Sequence, residues 1–117
     1  MALGRNMKGM TVLLVEDEVL CRKTVMTILR LQGVVVTAVP DAEQALQLFK
    51  DTSFDAVITD IRLPGMDGIG LLRELREHSP LIPVILMTGF SSVESAVEAL
   101  KLGAQDYILK PIESSEY

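Results

Sequence analysis

Apolar residues arrive along this chain in short bursts: Thr11–Val15, Val34–Val39, Ala56–Ile58 and Val84–Met87. Each burst is apolar at successive rather than alternate positions. That pattern predicts strands of a parallel sheet covered on both faces, because a half-exposed strand would alternate with polar residues. Between the bursts the spacing becomes helical. After Glu16-Asp17-Glu18, the residues Cys21, Val25, Ile28 and Leu29 recur at helical intervals, and Gly33 follows as a stop signal. Asp41 reads as the N-cap of a second helix with Ala45, Leu46 and Phe49 inward and Asp51 near its end. Gly68–Glu77 carries Ile69, Leu72 and Leu75 on one side and Arg73, Glu74, Arg76 and Glu77 on the other, ending at His78-Ser79-Pro80. Ser91 and Glu94 form a capping-box signature, and Val93, Val97 and Leu100 continue an apolar stripe to Gly103. Asp106–Leu109 is a last short strand before Lys110-Pro111.

Strand and helix therefore alternate four times before a fifth strand. Such alternation implies right-handed βαβ crossovers and an α/β fold: a doubly wound five-stranded parallel sheet with helices on both faces. A fifth helix should follow, but only Ile112–Tyr117 remain, at most about one and a half turns. The fifth helix is expected to be truncated or absent, either because the chain stops short of its natural end or because a neighbour covers that face. Residues 1–9 read as a leader, in part consistent with a tag remnant, and 10–117 as one domain.

Composition narrows the classes of function. A length of 117 residues suits one domain. The net charge of −5 argues against nucleic acid or an anionic membrane as a direct partner, since both need a basic face. Mean hydropathy is +0.34, high for a soluble domain, yet no apolar run approaches the roughly 18 residues of a spanning helix. Met1–Gly9 lacks the apolar core of a secretory signal, so a cytoplasmic location is expected. The single cysteine, Cys21, excludes an internal disulfide or a cysteine metal cluster and reads as a small core residue. The single histidine, His78, ends the third helix and should lie at the sheet edge away from the strand ends that carry carboxylates. That placement excludes Ser-His-Asp, Cys-His and zinc chemistry. The glycines match neither the dinucleotide nor the Walker pattern.

In an open parallel sheet the working crevice lies outside the carboxyl ends of the strands. The first strand ends in Glu16-Asp17, the third in Asp60 and the fourth in Thr88, while the fifth runs into Lys110. Three carboxylates in one crevice repel each other, by about 4 kcal/mol per pair at 4 Å and an effective dielectric of 20. The natural countercharge is a hard divalent cation with oxygen ligands. Mg²⁺ fits, because it takes one or two carboxylates, keeps several waters and leaves room for a phosphoryl oxygen. Three carboxylates, one Mg²⁺ and Lys110 then sum to zero. The negative charge added by phosphorylating Asp60 could be shared by the Mg²⁺, Lys110 and the Thr88 hydroxyl.

Four motifs carry a family resemblance. Leu13-Leu14-Val15-Glu16-Asp17-Glu18, Ile58-Thr59-Asp60-Ile61-Arg62-Leu63-Pro64-Gly65-Met66-Asp67-Gly68, Met87-Thr88-Gly89 and Asp106-Tyr107-Ile108-Leu109-Lys110-Pro111 together resemble the signature of receiver domains, the phosphoacceptor modules of two-component response regulators. The resemblance spans about residues 10 to 112 and implies a flavodoxin-like sheet of order 2-1-3-4-5. It implies Asp60 as the phosphoacceptor for a phosphohistidine, with Asp17, Asp60 and the backbone carbonyl of Arg62 as Mg²⁺ ligands and Glu16 acting through water. It makes Thr88 and Lys110 the partners of the phosphoryl oxygens, Tyr107 the switch aromatic that moves with the Thr88 loop, and the Lys110-Pro111 peptide cis. The partners implied are a sensor histidine kinase or phosphotransfer protein and an output domain beyond the C-terminus. A second copy docking through the fourth-helix and fifth-strand region is a further partner that it allows. No direct nucleic acid or membrane binding is expected of the domain itself. The stretch Thr88–Pro111 is similar to receivers of transcriptional activators that work with alternative sigma factors, which implies a transcriptional output.

Two rival readings use the same residues. A Mg²⁺-dependent aspartyl-phosphate phosphohydrolase would usually carry a second acid two residues after its nucleophile, where this chain has Arg62, and would need a cap. A degenerate receiver acting only in protein binding would not need the acceptor, acid pair, Thr and Lys that are all present. The chain is thus read as a phosphoacceptor that takes part in its own phosphorylation and dephosphorylation, not as a turnover enzyme. Gly89, where the family commonly has Ala, would make the Thr88 loop more mobile. Phe90, two residues beyond Thr88, is bulky enough to hinder attacking water. Phe90→Glu is therefore expected to shorten the lifetime of the phosphorylated chain, followed by mass spectrometry after phosphodonor removal; an unchanged lifetime would refute the shielding.

Overall fold

The structure, a computed structural model, describes residues 7–88 (Thr88 through its main chain), Val97, Leu100, Lys101, Gly103, Ala104 and the main chain of 106–109. β1 (Thr11–Val15) pairs in parallel with β2 (Val35–Val39) and with β3 (Ala56–Asp60). β4 (Val84–Thr88) pairs with β3, and β5 (Asp106–Leu109) with β4, giving the order β2-β1-β3-β4-β5. This is the sheet expected from the alternating pattern and the resemblance. Among the described residues three helices can be bounded: α1 (Val19–Leu31), α2 (Ala42–Asp51) and α3 (Gly68–His78).

Residues along a strand point alternately to opposite faces, and that alternation sorts the continuous apolar bursts into two cores. Leu13, Val15, Val57, Val84 and Leu86 face one way and pack with Ala42 and Ala45 of α2 and Leu71, Leu72 and Leu75 of α3. Val12, Leu14, Ala56, Ile58, Ile85 and Met87 face the other way and pack with Val25 and Leu29 of α1. The chain steps from β1 to β2 in one direction and from β3 to β5 in the other. Right-handed crossovers then place α1 and the α2–α3 pair on opposite faces. Val12, Leu13, Leu14 and Val15 are all fully buried. Burying each such side chain stabilises the fold by about 1.5–3 kcal/mol, so β1 is the centre of both cores. No helix among the described residues is long and apolar enough to cross a membrane.

The structure differs from the sequence reading at four places. Met7, assigned to the leader, is buried in the α1-side core, and the Gly9 N–H donates to the Gly33 carbonyl at 2.9 Å. Packing therefore begins before residue 10. Within α3, Leu72 and Leu75 are buried as expected, but Leu71 is fully buried too while Ile69 is only partly so, which shifts the buried stripe toward the Leu71 side. Arg76, assigned to the solvent side of α3, is half-buried. Its guanidinium donates to the carbonyls of Ser79 (3.3 Å), Ile82 (2.7 Å) and Gly103 (2.6 Å), which ties the end of α3 to the approach to β5. Desolvation lowers its pKa from the ordinary arginine value. Val97 and Leu100, expected on an inward stripe, are helical but exposed. The Ser91–Glu94 capping box and residues 110–117, where a fifth helix would begin, lie outside the described residues.

Gly68 opens α3 against the back of β3. Its N–H donates to the Ile61 carbonyl at 2.8 Å. A Cβ built there would stand 2.2 Å from the Asp60 carbonyl oxygen and 2.7 Å from the Ile61 Cα, which are main-chain atoms that cannot rotate away. Gly68→Ala is expected to destabilise the domain by about 2 kcal/mol or more, at the upper end of overpacking costs, seen as a lower denaturant midpoint. A midpoint equal to that of the parent would show that α3 does not fix the main chain at Asp60.

Candidate functional site

β1 and β3 are neighbours in space, but the chain leaves them in opposite directions along the sheet. Between their carboxyl ends no crossover connection fills the gap, so a crevice opens at this switch point. Asp60 is the last residue of β3, and Glu16 and Asp17 follow directly on β1. A carboxylate oxygen from each of Glu16, Asp17 and Asp60 can be chosen so that the three lie within 4.8 Å of one another. Glu16 is fully buried, Asp60 is nearly so and Asp17 is exposed.

Each acid is held by its own local geometry. The Glu16 N–H donates to the Val39 carbonyl at 3.0 Å, continuing the β1–β2 ladder one residue beyond the strand. The Glu16 carboxylate accepts the Glu18 N–H at 3.3 Å, and the Glu16 carbonyl accepts from Arg22 Nη1 at 2.9 Å. Asp60 is followed by an Ile61 N–H that donates to the Met87 carbonyl at 3.1 Å, so β3 stays paired with β4 just past the acid. The Arg62 N–H donates to Asp60 Oδ1 at 3.1 Å, and the buried Thr59 hydroxyl donates to the Asp60 carbonyl at 3.0 Å. The loop from Ile61 to Asp67 is pinned from α2 by Glu43, whose carboxylate accepts the Met66 N–H at 3.3 Å. Asp67 then caps α3 by accepting the Gly70 N–H at 2.8 Å.

The sequence-derived candidates separate into two groups. Glu16, Asp17 and Asp60 are brought together, and Arg62 lies two residues beyond Asp60 with its amide on the acid. Asp60 pairs in register with Met87, so the main chain of Thr88 is one residue further along the neighbouring strand, opposite Leu109 of β5. Tyr107 pairs with Leu86 through the main chain of β5. The side chains of Thr88 and Tyr107, and all of Gly89, Phe90, Lys110 and Pro111, lie outside the described residues. His78 is exposed at the last position of α3, the helix end remote from Asp60. Cys21 is half-buried and packs against the α1-side core, as a small core residue would.

Two contributors were not legible in the sequence. Glu18 is the N-cap of α1, accepting the N–H groups of Leu20 and Cys21 at 3.0 Å each. Glutamate is not among the preferred capping residues, so it gave no start signal. Arg22 reaches Glu16 across six residues, a separation at which helix periodicity carries no expectation.

Three acids so close form a donor set of hard oxygens with excess negative charge, which is the chemistry of a Mg²⁺-type cation. In an octahedral site with metal–oxygen distances of about 2.05 Å, ligand oxygens stand about 2.9 Å apart when cis and about 4.1 Å when trans. An outer limit of 4.8 Å suits two oxygens bound directly and one held through a water.

Residues 12–117 match the response regulator receiver domain family. Among curated proteins, the regulatory protein AtoC of Escherichia coli is 46% identical over 105 residues, which cover 90% of this chain and 23% of that protein. The two-component response regulator PhoP of Pseudomonas aeruginosa is 43% identical over 107 residues, covering 92% and 48% respectively. The chain thus spans between about a quarter and a half of the length of these relatives. Among solved structures, the receiver domain of NtrX from Brucella abortus superposes with a TM-score of 0.84 at 36% identity, covering 90% of this chain and 89% of that one. A response regulator receiver domain protein from Clostridium thermocellum gives a TM-score of 0.85 at 29% identity, covering 92% and 86%.

Repulsion among the acids sets a measurable expectation. Asp17 is the exposed member of the three. Without divalent cations, Asp17→Asn is expected to raise stability by about 1 kcal/mol, the solvent-screened value at such a separation. The thermal midpoint in EDTA should rise by several degrees and the gain should shrink in high salt. A lower midpoint in EDTA would mean that the three carboxylates do not repel one another as their spacing implies.

Proposed function

This chain belongs to the receiver domain family of response regulators, phosphoryl-accepting signalling modules, and from that premise we propose that Asp60 is its phosphoacceptor. The observation that carries the assignment is the meeting of Glu16, Asp17 and Asp60 at the switch point, with oxygens within 4.8 Å. Asp60 is the member placed on the central sheet, with its main chain locked to β4 and one carboxylate oxygen held by the Arg62 amide.

The transfer is a substitution at phosphorus. An Asp60 carboxylate oxygen forms the new O–P bond as the P–N bond to a donor imidazole breaks, leaving that histidine neutral once it takes up a proton. The product is an acyl phosphate. Asp17, Asp60 and the Arg62 carbonyl would hold Mg²⁺, with Glu16 acting through a water. When bound, the cation supplies charge neutralisation for the carboxylates and for the incoming phosphoryl oxygens. The chain's own part is positioning. The Arg62 N–H fixes the plane of the Asp60 carboxylate, and the Glu18 N–H and Arg22 hold Glu16 in place. Thr88 would hydrogen-bond one phosphoryl oxygen and Lys110 would pair with another.

The added charge then biases a bistable element, the Thr88 loop with Tyr107, and so alters a binding face. The exposed apolar residues Val97 and Leu100 support a face of that kind on the segment between β4 and β5. The donor would be a sensor histidine kinase or phosphotransfer protein. The output, by likeness to regulators such as AtoC, would be transcriptional and carried by a domain beyond this one. The setting would be the cytoplasm, residues 10–117 forming the domain with Met7 packed onto it.

Incubation with acetyl phosphate and Mg²⁺ is expected to add the mass of one phosphoryl group to the chain. The gain should be lost in Asp60→Asn and strongly reduced when EDTA removes the cation. A mass gain that persists in Asp60→Asn would overturn the assignment.

A further inference from the structure

We propose that Arg22 is a positioning residue for the acidic site, acting by fixing the main chain from which the Glu16 carboxylate reaches. The inference rests on the reading of Glu16, Asp17 and Asp60 as a cation site. Glu16 is fully buried, yet its side chain carries one more rotatable bond than an aspartate would, and its carboxylate must be aimed within 4.8 Å of two others. Aim over that length requires a fixed origin. The structure fixes it on both sides of the residue: the Glu16 N–H is held by the Val39 carbonyl at 3.0 Å, and the Glu16 carbonyl by Arg22 Nη1 at 2.9 Å. The first is a continuation of the sheet. The second is the only one of the two made by a side chain, and it comes from the first turn of α1, where Arg22 is half-buried.

The choice of residue fits the task. A guanidinium donates through a planar fork, and a bond from an ionised donor is stronger and shorter than one between neutral groups. Arg22 leans on the carbonyl of Glu16 and not on its carboxylate, so it restrains the acid without neutralising it as a direct ion pair would. Charge for the metal is kept while freedom is removed. Glu18, four residues before Arg22 on the same turn, holds the other end of the acid by its amide and caps the helix that carries Arg22. The turn from Val15 to Arg22 therefore forms one restrained unit around Glu16.

The test is a double-mutant cycle on metal affinity, read by the EPR signal of free Mn²⁺ titrated into the full chain with no phosphodonor present. Arg22→Met is expected to weaken Mn²⁺ binding by about three- to tenfold, somewhat less than the 10–100-fold typical of losing an outer-shell partner of a ligand. In the Glu16→Ala background, where there is no reach to set, the same substitution should change affinity by less than about twofold. An equal loss in both backgrounds would show that Arg22 acts as a plain countercharge and would overturn the proposal, as would an unchanged affinity in Arg22→Met alone. Arg22→Gln, with a shorter neutral donor, is read in the same cycle should the Met variant fail to fold. A parent chain that binds no Mn²⁺ would overturn the cation-site reading and this inference with it. Phosphorylation lost in Asp60→Asn while the cycle shows no coupling would overturn this inference alone.

Discussion

Glu16 has no exposed surface, carries a carboxylate, and sits with two further carboxylates inside a space a few ångströms across. Left to themselves such groups would separate, since each pair repels by several kcal/mol in a partly buried setting. What holds them is the sheet. β1 and β3 are buried almost without exception, as are the described side chains of β4, and the mutual pairing of β1 and β3 fixes Val15 opposite Thr59, so the acids that follow meet at a set distance. The two hydrophobic cores stabilise that pairing from both faces. The site is thus a strained arrangement of charge supported by apolar burial, and its residual instability is what a divalent cation can relieve.

The dependence runs through the main chain more than through side-chain packing at the site. Asp60 is bracketed by the Thr59 hydroxyl on its carbonyl, the Ile61 amide on β4 and the close approach of Gly68 from α3. Three elements therefore meet within one residue of the candidate acceptor. Glu43 on α2 adds a fourth connection through the loop that contains Arg62. A carboxylate fixed in this way loses little freedom when it becomes an attacking group, and in phosphoryl transfer positioning and electrostatics supply most of the catalysis.

The parts of this arrangement that were legible in the sequence are those that obey a local period or a strand end. Continuous apolar bursts revealed a sheet covered on both faces, because a strand buried on both sides leaves no polar alternation. Acids at the ends of the first and third strands could be placed at one edge because parallel strands all end on the same side. What stayed hidden depends on distances the chain closes only in three dimensions. Arg76 looked like a solvated residue on a polar stripe, yet it binds carbonyls of the following turn and of Gly103, 27 residues away. Arg22 and the capping role of Glu18 left no trace for the same reason: neither a six-residue reach nor a glutamate cap has a periodic signature. Met7, within the leader, gives no signal either, because an isolated apolar residue has no period at all.

The order of strands also shows how the proposed acceptor and the proposed switch residues could share one small sheet. Glu16, Asp17 and Asp60 stand at the ends of β1 and β3, which have neighbours on both sides. Tyr107 belongs to β5, which among the described residues is an edge strand paired with β4 alone, and Thr88 is the last residue of β4, paired with the last residue of β5. Segments that must move are drawn from the less stable parts of a fold, and an edge strand gives up fewer hydrogen bonds when it shifts than a central one. The sheet therefore separates two demands that conflict within a single residue. On the proposed reading, the acceptor must be still to react and the reporter free to respond. Adjacency of β3 and β4 would join them: the main chain of Thr88 stands one step beyond the register partner of Asp60, so on the proposed reading charge added at Asp60 would reach the edge of the sheet through β4.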